Sequence, residues 1–168
     1  MKRIGLLSDT HSHLETSIFD YFESCDEIWH AGDIGNVKLV KQLMDFRPFR
    51  AVYGNIDGKD IRVDFSENLI FELEGVKVFM THIGGYPGRY NARVRNIIVA
   101  EQPKLYICGH SHILKVQYDP KYKLLHVNPG AAGNHGFHKV KTITRFTLVE
   151  GNIKDLEVIE LGKRGAIQ

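Results

Sequence analysis

Short apolar runs alternate with amphipathic segments through the first third of the chain. Arg3 to Leu7 is apolar over most of its length and reads as a buried strand. Glu15 to Phe22 places Ile18, Phe19 and Phe22 at helical spacing. Glu27 to Ala31 reads as a second strand. Val37 to Phe46 reads as a helix, with Val37, Val40, Leu43 and Met44 on one face, and Phe49 to Val52 as a third strand. Asn36, Gly54-Asn55 and Asp57-Gly58 punctuate these runs as turns. Further on, Leu69 to Leu73 and Val76 to Met80 flank Glu74-Gly75, a hairpin pattern. Tyr90 to Ala100 reads as a helix. Strands follow at Leu105 to Cys108, Ile113 to Tyr118, Leu124 to Asn128, Thr142 to Val149 and Ile153 to Ile159. An α/β beginning joined to a β-rich end predicts an α/β fold of two stacked sheets with helices outside.

Composition narrows the class. A chain of 168 residues suggests one domain, 1–168. Hydrophobic residues make up 43% and charged residues 25%, as expected for a soluble globular protein. No apolar run approaches the roughly 18 residues of a membrane span, so no membrane partner is expected. The apolar start ends at Ser8-Asp9, too soon for a signal peptide, and reads instead as the first strand. Two cysteines, Cys25 and Cys108, give no disulfide framework, which fits a cytoplasmic location. A net charge of +2 is too weak to argue for nucleic-acid binding, and the small size without a basic tract counts against a long nucleic acid as partner. Nine histidines are the one oddity.

Four of those histidines fall within five polar clusters, nearly all directly after a strand-like run. They are Asp9-Thr10-His11, Gly32-Asp33, Gly54-Asn55-Ile56-Asp57, Thr81-His82 and Gly109-His110-Ser111-His112. Each alone has an ordinary reading: a helix cap, a turn, a satisfied histidine. Together they could be delivered by five strand ends to one crevice, where α/β folds gather their ligands.

The order Asp-x-His, Gly-Asp, Gly-Asn, His, Gly-His-x-His, within a stretch running from about Arg3 to Asn134, resembles the calcineurin-like metallophosphoesterases. The short length and the Gly-Asn-Ile-Asp form resemble their small bacterial and archaeal phosphodiesterase branch. That branch also resembles a retromer subunit of eukaryotic trafficking. The resemblance implies an α/β/β/α sandwich and two divalent transition-metal ions. Manganese is favoured, with nickel, iron or zinc as alternatives. It implies that Asp9, His11 and His112 hold the first ion, that Asn55, His82 and His110 hold the second, and that Asp33 bridges both. Asp33 and Asn55 would be the catalytic pair, with Asn55 also reaching the substrate. The implied reaction is hydrolysis of a small phosphodiester by metal-activated hydroxide. The alternative is a non-catalytic interaction scaffold on the same fold, but a scaffold need not keep seven ligands.

One position departs from the wider pattern. Many members carry histidine after Gly-Asn, where it is thought to assist the leaving group; here it is Ile56. His13, His135 and His138 are candidate substitutes, with solvated loop histidines as the plainer reading. His30 and His126 lie in strands and read as packed. The loop from His82 to Tyr90 could wall a substrate pocket through Arg89, Tyr86 or Tyr90, or simply be flexible with Arg89, Arg93 and Arg95 in water. The small-residue stretch Asn128 to His135 could approach the site closely, and Asp57 could orient its neighbours or merely close a turn.

Overall fold

The computed structural model describes residues 1–165; positions 166–168 of the expected single unit lie outside the described residues. Ten strands form two five-stranded mixed sheets. The first has the order β10-β9-β1-β2-β3, built from β1 (Lys2–Leu7), β2 (Glu27–His30), β3 (Phe49–Ala51), β9 (Val140–Val149) and β10 (Asn152–Lys163). Within it β1, β2 and β3 are parallel, while β9 and β10 run antiparallel. The second has the order β4-β5-β6-β8-β7, from β4 (Asn68–Leu73), β5 (Val76–Thr81), β6 (Leu105–Ile107), β7 (Lys115–Asp119) and β8 (Leu124–Asn128). Its central strands β5, β6 and β8 are parallel, and its edges are antiparallel.

The period-two alternation of these strands builds the layers. Ile4, Leu6, Trp29, Val76, Val78, Met80, Leu105 and Ile107 all face between the sheets. The opposite faces carry Leu7 and Ile28 on one side and Phe79 and Tyr106 on the other. Against the first outer face lie α1 (Ser17–Tyr21), α2 (Val37–Phe46) and α3 (Lys59–Arg62); against the second lies α4 (Ala92–Glu101). The result is the expected α/β/β/α sandwich. No helix among the described residues is long and apolar enough to cross a membrane.

The local differences from the sequence pattern have physical reasons. Helix α4 starts at Ala92 rather than Tyr90 because the Asn91 side chain caps it, accepting from Val94 N at 2.8 Å. Helix α2 buries Leu39, Val40 and Leu43 and leaves Val37 and Met44 exposed. Leu39 lies in the buried cluster and Phe46 packs against it, so the buried face is turned from the expected one. Helix α1 spans only five residues, and no side chain caps its start. The single-turn α3 was not expected at all.

Two histidines are buried inside strands, as the sequence suggests. Thr10 Oγ1 donates to Ile34 O, so His30 Nε2–H must donate to Thr10 Oγ1, at 2.9 Å. Gly32 N then donates to His30 Nδ1 at 3.1 Å. The neutral ring is fully satisfied, and a second ring proton would face the Gly32 N–H. Burial holds His30 down to about 4, and burial does the same for His126. Above about pH 6.5 these rings are neutral whether the chain is folded or unfolded. As pH falls, the unfolded chain takes up protons first, so stability is lost between about 6.5 and 4. Unfolding free energies of the metal-free protein, read from urea denaturation, should drop across that window by on the order of 3 kcal/mol per ring. His126→Leu should flatten the drop; an equally steep one would exclude His126 burial as a cause.

Candidate metal centre

Each of the five polar clusters begins at or just past the end of a parallel strand: β1, β2, β3, β5 and β6. To turn a side chain back across the sheet edge so soon, the backbone leaves the extended region. Asp9, His11, Asp33, His110 and His112 all have positive φ, between 45° and 70°. Such conformations cost of order 1–3 kcal/mol each for residues other than glycine, and they gather at functional sites. The turns also press close together. A Cβ on Gly54 would sit 2.0 Å from Asp33 Oδ1, and one on Gly109 would sit 2.2 Å from Ser8 Oγ. The glycines of Gly-Asn and Gly-His are therefore demanded by close approach.

The side chains converge in two groups, Asp9 with His11 and His112, and Asp33 with His82 and His110. Within each group one ligand atom per residue lies within 4.8 Å of the others. Each carboxylate has one oxygen tied down. Asp9 Oδ2 accepts from Ser8 Oγ at 2.6 Å and His110 N at 3.1 Å, and Asp33 Oδ1 accepts from Ile56 N at 3.0 Å. The other oxygens face imidazoles. Asp9 Oδ1 lies 3.2 Å from His112 Nε2 and 3.7 Å from His82 Nε2. Asp33 Oδ2 lies 3.2 Å from His82 Nε2 and 3.4 Å from His11 Nε2, between the two groups. Asn55 Oδ1 stands 3.0 Å from His110 Nδ1.

The approaches of Asp9 Oδ1 to these imidazoles do not resolve into hydrogen bonds. Asp9 Oδ1, His11 Nε2 and His82 Nε2 are buried with no hydrogen-bond partner. His82 donates Nδ1–H to Ala31 O at 2.7 Å, which turns its Nε2 lone pair inward. Lone pairs of carboxylates and imidazoles thus face one another, an arrangement that needs a cation or a proton at its centre. The donor set of imidazole nitrogen and carboxylate oxygen, with no thiolate, fits a first-row divalent ion.

The protonation preferences express the same crowding. Burial lowers the His11 pKa despite the pull of Asp33 and Asp9. Burial opposes charge on His82 as well, but its contacts with Asp33 and Asp9 outweigh burial and leave its pKa raised. For Asp33, burial works upward, and the His82, Ile56 and His11 contacts bring it below the ordinary carboxylate value.

A second layer holds the loops. Asp57 is buried and accepts from Gly54 N at 2.8 Å, Gly35 N at 2.9 Å and Ile34 N at 3.2 Å. It orients two site loops rather than merely closing a turn. Arg62 on α3 donates to Asp57 O at 2.6 Å and lies 3.4 Å from both Gly54 O and Asn55 O. Neither Arg62 nor Ser8 carries a sequence signal for this role. The stretch after β8 is more than a turn, since Ala132 N donates to Ser8 O at 2.9 Å and Gly133 N to Asp9 O at 3.1 Å.

The remaining candidates separate. His135 is exposed and stacks on His11, with centroids 4.7 Å apart. His138 is not a solvated loop residue: its Nε2–H donates to Gly133 O at 2.8 Å and its Nδ1 is buried. His13 turns away to Glu15, at 3.1 Å. Arg93 is bound to Asn68, Thr81 and Ile83 O, whereas Arg89 and Arg95 are exposed. Tyr90 donates to Asp119 at 2.6 Å and leaves Tyr86 as the exposed ring of its loop.

Known proteins are similar to this chain in sequence and fold. Residues 1–154 match the calcineurin-like phosphoesterase superfamily domain. A probable metallophosphoesterase of Methanothermobacter thermautotrophicus is 27% identical over 95% of this chain and 92% of its own length. A phosphodiesterase of Methanocaldococcus jannaschii is 27% identical over 76% of this chain and 82% of its own. Among solved structures, a novel archaeal phosphodiesterase superposes with a TM-score of 0.76 at 24% identity, over 95% of this chain and 99% of that one. Vps29 from Entamoeba histolytica complexed with zinc superposes with a TM-score of 0.66 at 17% identity, over 94% of this chain and 98% of that one.

Asp57 gives a direct test of the supporting layer. Asp57→Ala strips three backbone N–H groups of their acceptor and should cost about 1–3 kcal/mol of unfolding free energy, read from urea denaturation. Asp57→Asn should recover part of that loss. A loss confined to a few tenths would mean that water replaces the carboxylate.

Proposed function

This chain belongs to the calcineurin-like phosphoesterase superfamily, and we propose that it is a two-metal phosphodiesterase. The observation that carries this reading is the set of buried, unpartnered atoms Asp9 Oδ1, His11 Nε2 and His82 Nε2, turned toward one another. Asp9, His11 and His112 would hold one divalent ion; Asn55, His82 and His110 the other. Asp33 Oδ2, between the groups, would serve both. Manganese, nickel, iron and zinc all suit these donors. When bound, the ions supply a water of lowered pKa and positive charge against the phosphate oxygens.

The chain's own residues do the rest. His82 holds its ring through Ala31 O, so that Nε2 remains a donor of electrons inward. Asn55, exposed beside His110, offers an amide N–H toward the phosphate. The walls of the cleft above the cluster support a diester. They include Ile56, Ile113 and the fully exposed Phe137, and no lysine or arginine among the described residues. Sites for dianionic monoesters or polyphosphates commonly add guanidinium or ammonium clamps. A singly charged diester with organic substituents matches walls of this kind. The likeness to Vps29 is one of fold, and nothing at the site favours a scaffold.

Chelator should abolish hydrolysis and manganese or another first-row divalent ion should restore it, with about two ions retained per chain by elemental analysis. Asp33→Asn should lower turnover by about 10²-fold or more without unfolding, given that even outer partners of such ligands cost 10–100-fold. An aryl phosphodiester should exceed the matching monoester in kcat/KM by at least about tenfold. Chelator-resistant turnover, or a preference for the monoester, would overturn the respective part of this reading.

Ile56 is half-exposed at the rim, and only its backbone N–H touches Asp33. Ile56→His therefore leaves that contact intact while adding a proton donor. Wild-type rates should fall steeply as leaving-group pKa rises, and the variant should flatten that slope by less than the roughly 10²–10⁴ of a fully oriented acid. A flat wild-type profile would place proton donation elsewhere, with His135 over His11 the first residue to replace.

A further inference from the structure

A second cavity, of about 300 Å³, opens beside the ligand cluster toward the second sheet. It shares His110, Ser111 and Ile113 with the first cleft, so Ile113 forms a ridge between the two. Tyr86 and Lys115 line it on one side, and the buried His126 contributes to its lining. The volume falls at the small end of ligand pockets, and most of the lining is apolar.

Two of its polar side chains, Lys115 and Ser111, are free to donate. Lys41, Lys77 and Lys141 each pair with a carboxylate. Among the described residues no carboxylate lies within ion-pair distance of Lys115, whose Nζ stands 4.5 Å from the Tyr86 ring centroid. Ser111 Oγ accepts from Ile113 N at 3.2 Å and from Asn128 Nδ2 at 3.1 Å, which leaves its own hydrogen free to donate. Asn128 is fully committed: its Nδ2 also meets Gly109 O at 3.0 Å and its Oδ1 accepts from Gly130 N at 3.0 Å. An apolar slot with a flat exposed ring and free donors suits a planar group that carries acceptors.

We propose that this cavity is the subsite for one organic substituent of the phosphoester, selecting an aromatic or heteroaromatic ring with hydrogen-bond acceptors at its edge. The ring takes the face of Tyr86 that Lys115 now covers. The flexible lysine stem lets the ammonium swing to the acceptors, and Ser111 donates as well. A diester carries two substituents on one phosphorus, and two cavities flank Ile113. This assignment rests on the phosphodiesterase reading for the place of the phosphate.

Adenosine, an uncharged nucleoside, is the binding probe, with ribose as control, titrated into the metal-free protein and followed by amide chemical shifts. Shifts should centre on residues 83–86 and 111–115, with ribose causing none. Tyr86→Ala and Lys115→Ala should each weaken adenosine roughly tenfold, the loss of about one base–aromatic stack. With bis(4-nitrophenyl) phosphate and manganese, Tyr86→Ala should raise KM roughly tenfold with kcat nearly unchanged. Lys38→Ala, on α2 and outside the cavity lining, should alter neither. Adenosine shifts that miss the cavity, or a Tyr86→Ala effect on kcat alone, would overturn the subsite. Turnover without adenosine binding would end the subsite and leave the phosphodiesterase standing; binding in the cavity without any turnover would do the reverse.

Discussion

Two carboxylates and four imidazoles are forced together at the edge of a sandwich, and much of the structure around them serves that crowding. Asp9 and Asp33 each have one oxygen satisfied and one aimed at ring nitrogens that do not donate to it in good geometry. Left alone, facing lone pairs would push apart. They are held by elements that do not themselves take part: the Asp57 carboxylate under the loops after β2 and β3, the His30–Thr10 pair joining the loops after β1 and β2, and Arg62 beneath Gly54-Asn55. Left-handed backbone at Asp9, His11, Asp33, His110 and His112 adds to what the packed sheets must offset.

Much of this was legible in the sequence because strand ends are easy to read. The apolar runs before Asp9, Asp33, His82 and His110 marked where parallel strands stop, and α/β folds present their ligands there. The hairpin at Glu74-Gly75 and the full extent of α2 were equally plain, since their periodicity is strong. The convergence on one crevice was expected from the strand ends and the family resemblance, but the sheet order that produces it was not legible. That five strand ends from two sheets meet is a property of sheet order, and β1 finds β9 across more than a hundred residues.

What lay hidden was the supporting chemistry. Arg62 sits in a one-turn helix too short to leave a periodic signal, and it acts through backbone carbonyls that no motif records. Arg93 looked solvated because arginine usually is, yet Asn68 and Thr81 face it from β4 and β5. His138 looked like an ordinary loop residue until Gly133 closed on it. Asp57 was ambiguous because Asp-Gly serves equally well as a turn, and only the N–H groups of Gly35 and Ile34, twenty-odd residues away, decide the matter.

The two ligand groups divide unevenly between the sheets. Asp9 and His11 follow β1 of the first sheet, but their companion His112 follows β6 of the second; Asp33 follows β2, but His82 and His110 follow β5 and β6. Neither sheet by itself presents a complete group. A growing chain therefore cannot assemble either cluster until residue 112 has emerged and the two layers have closed. From then on, any cation seated there is a clasp across the interface. Prising the layers apart would mean breaking coordination as well as apolar contact, so occupancy would slow unfolding as well as enable chemistry.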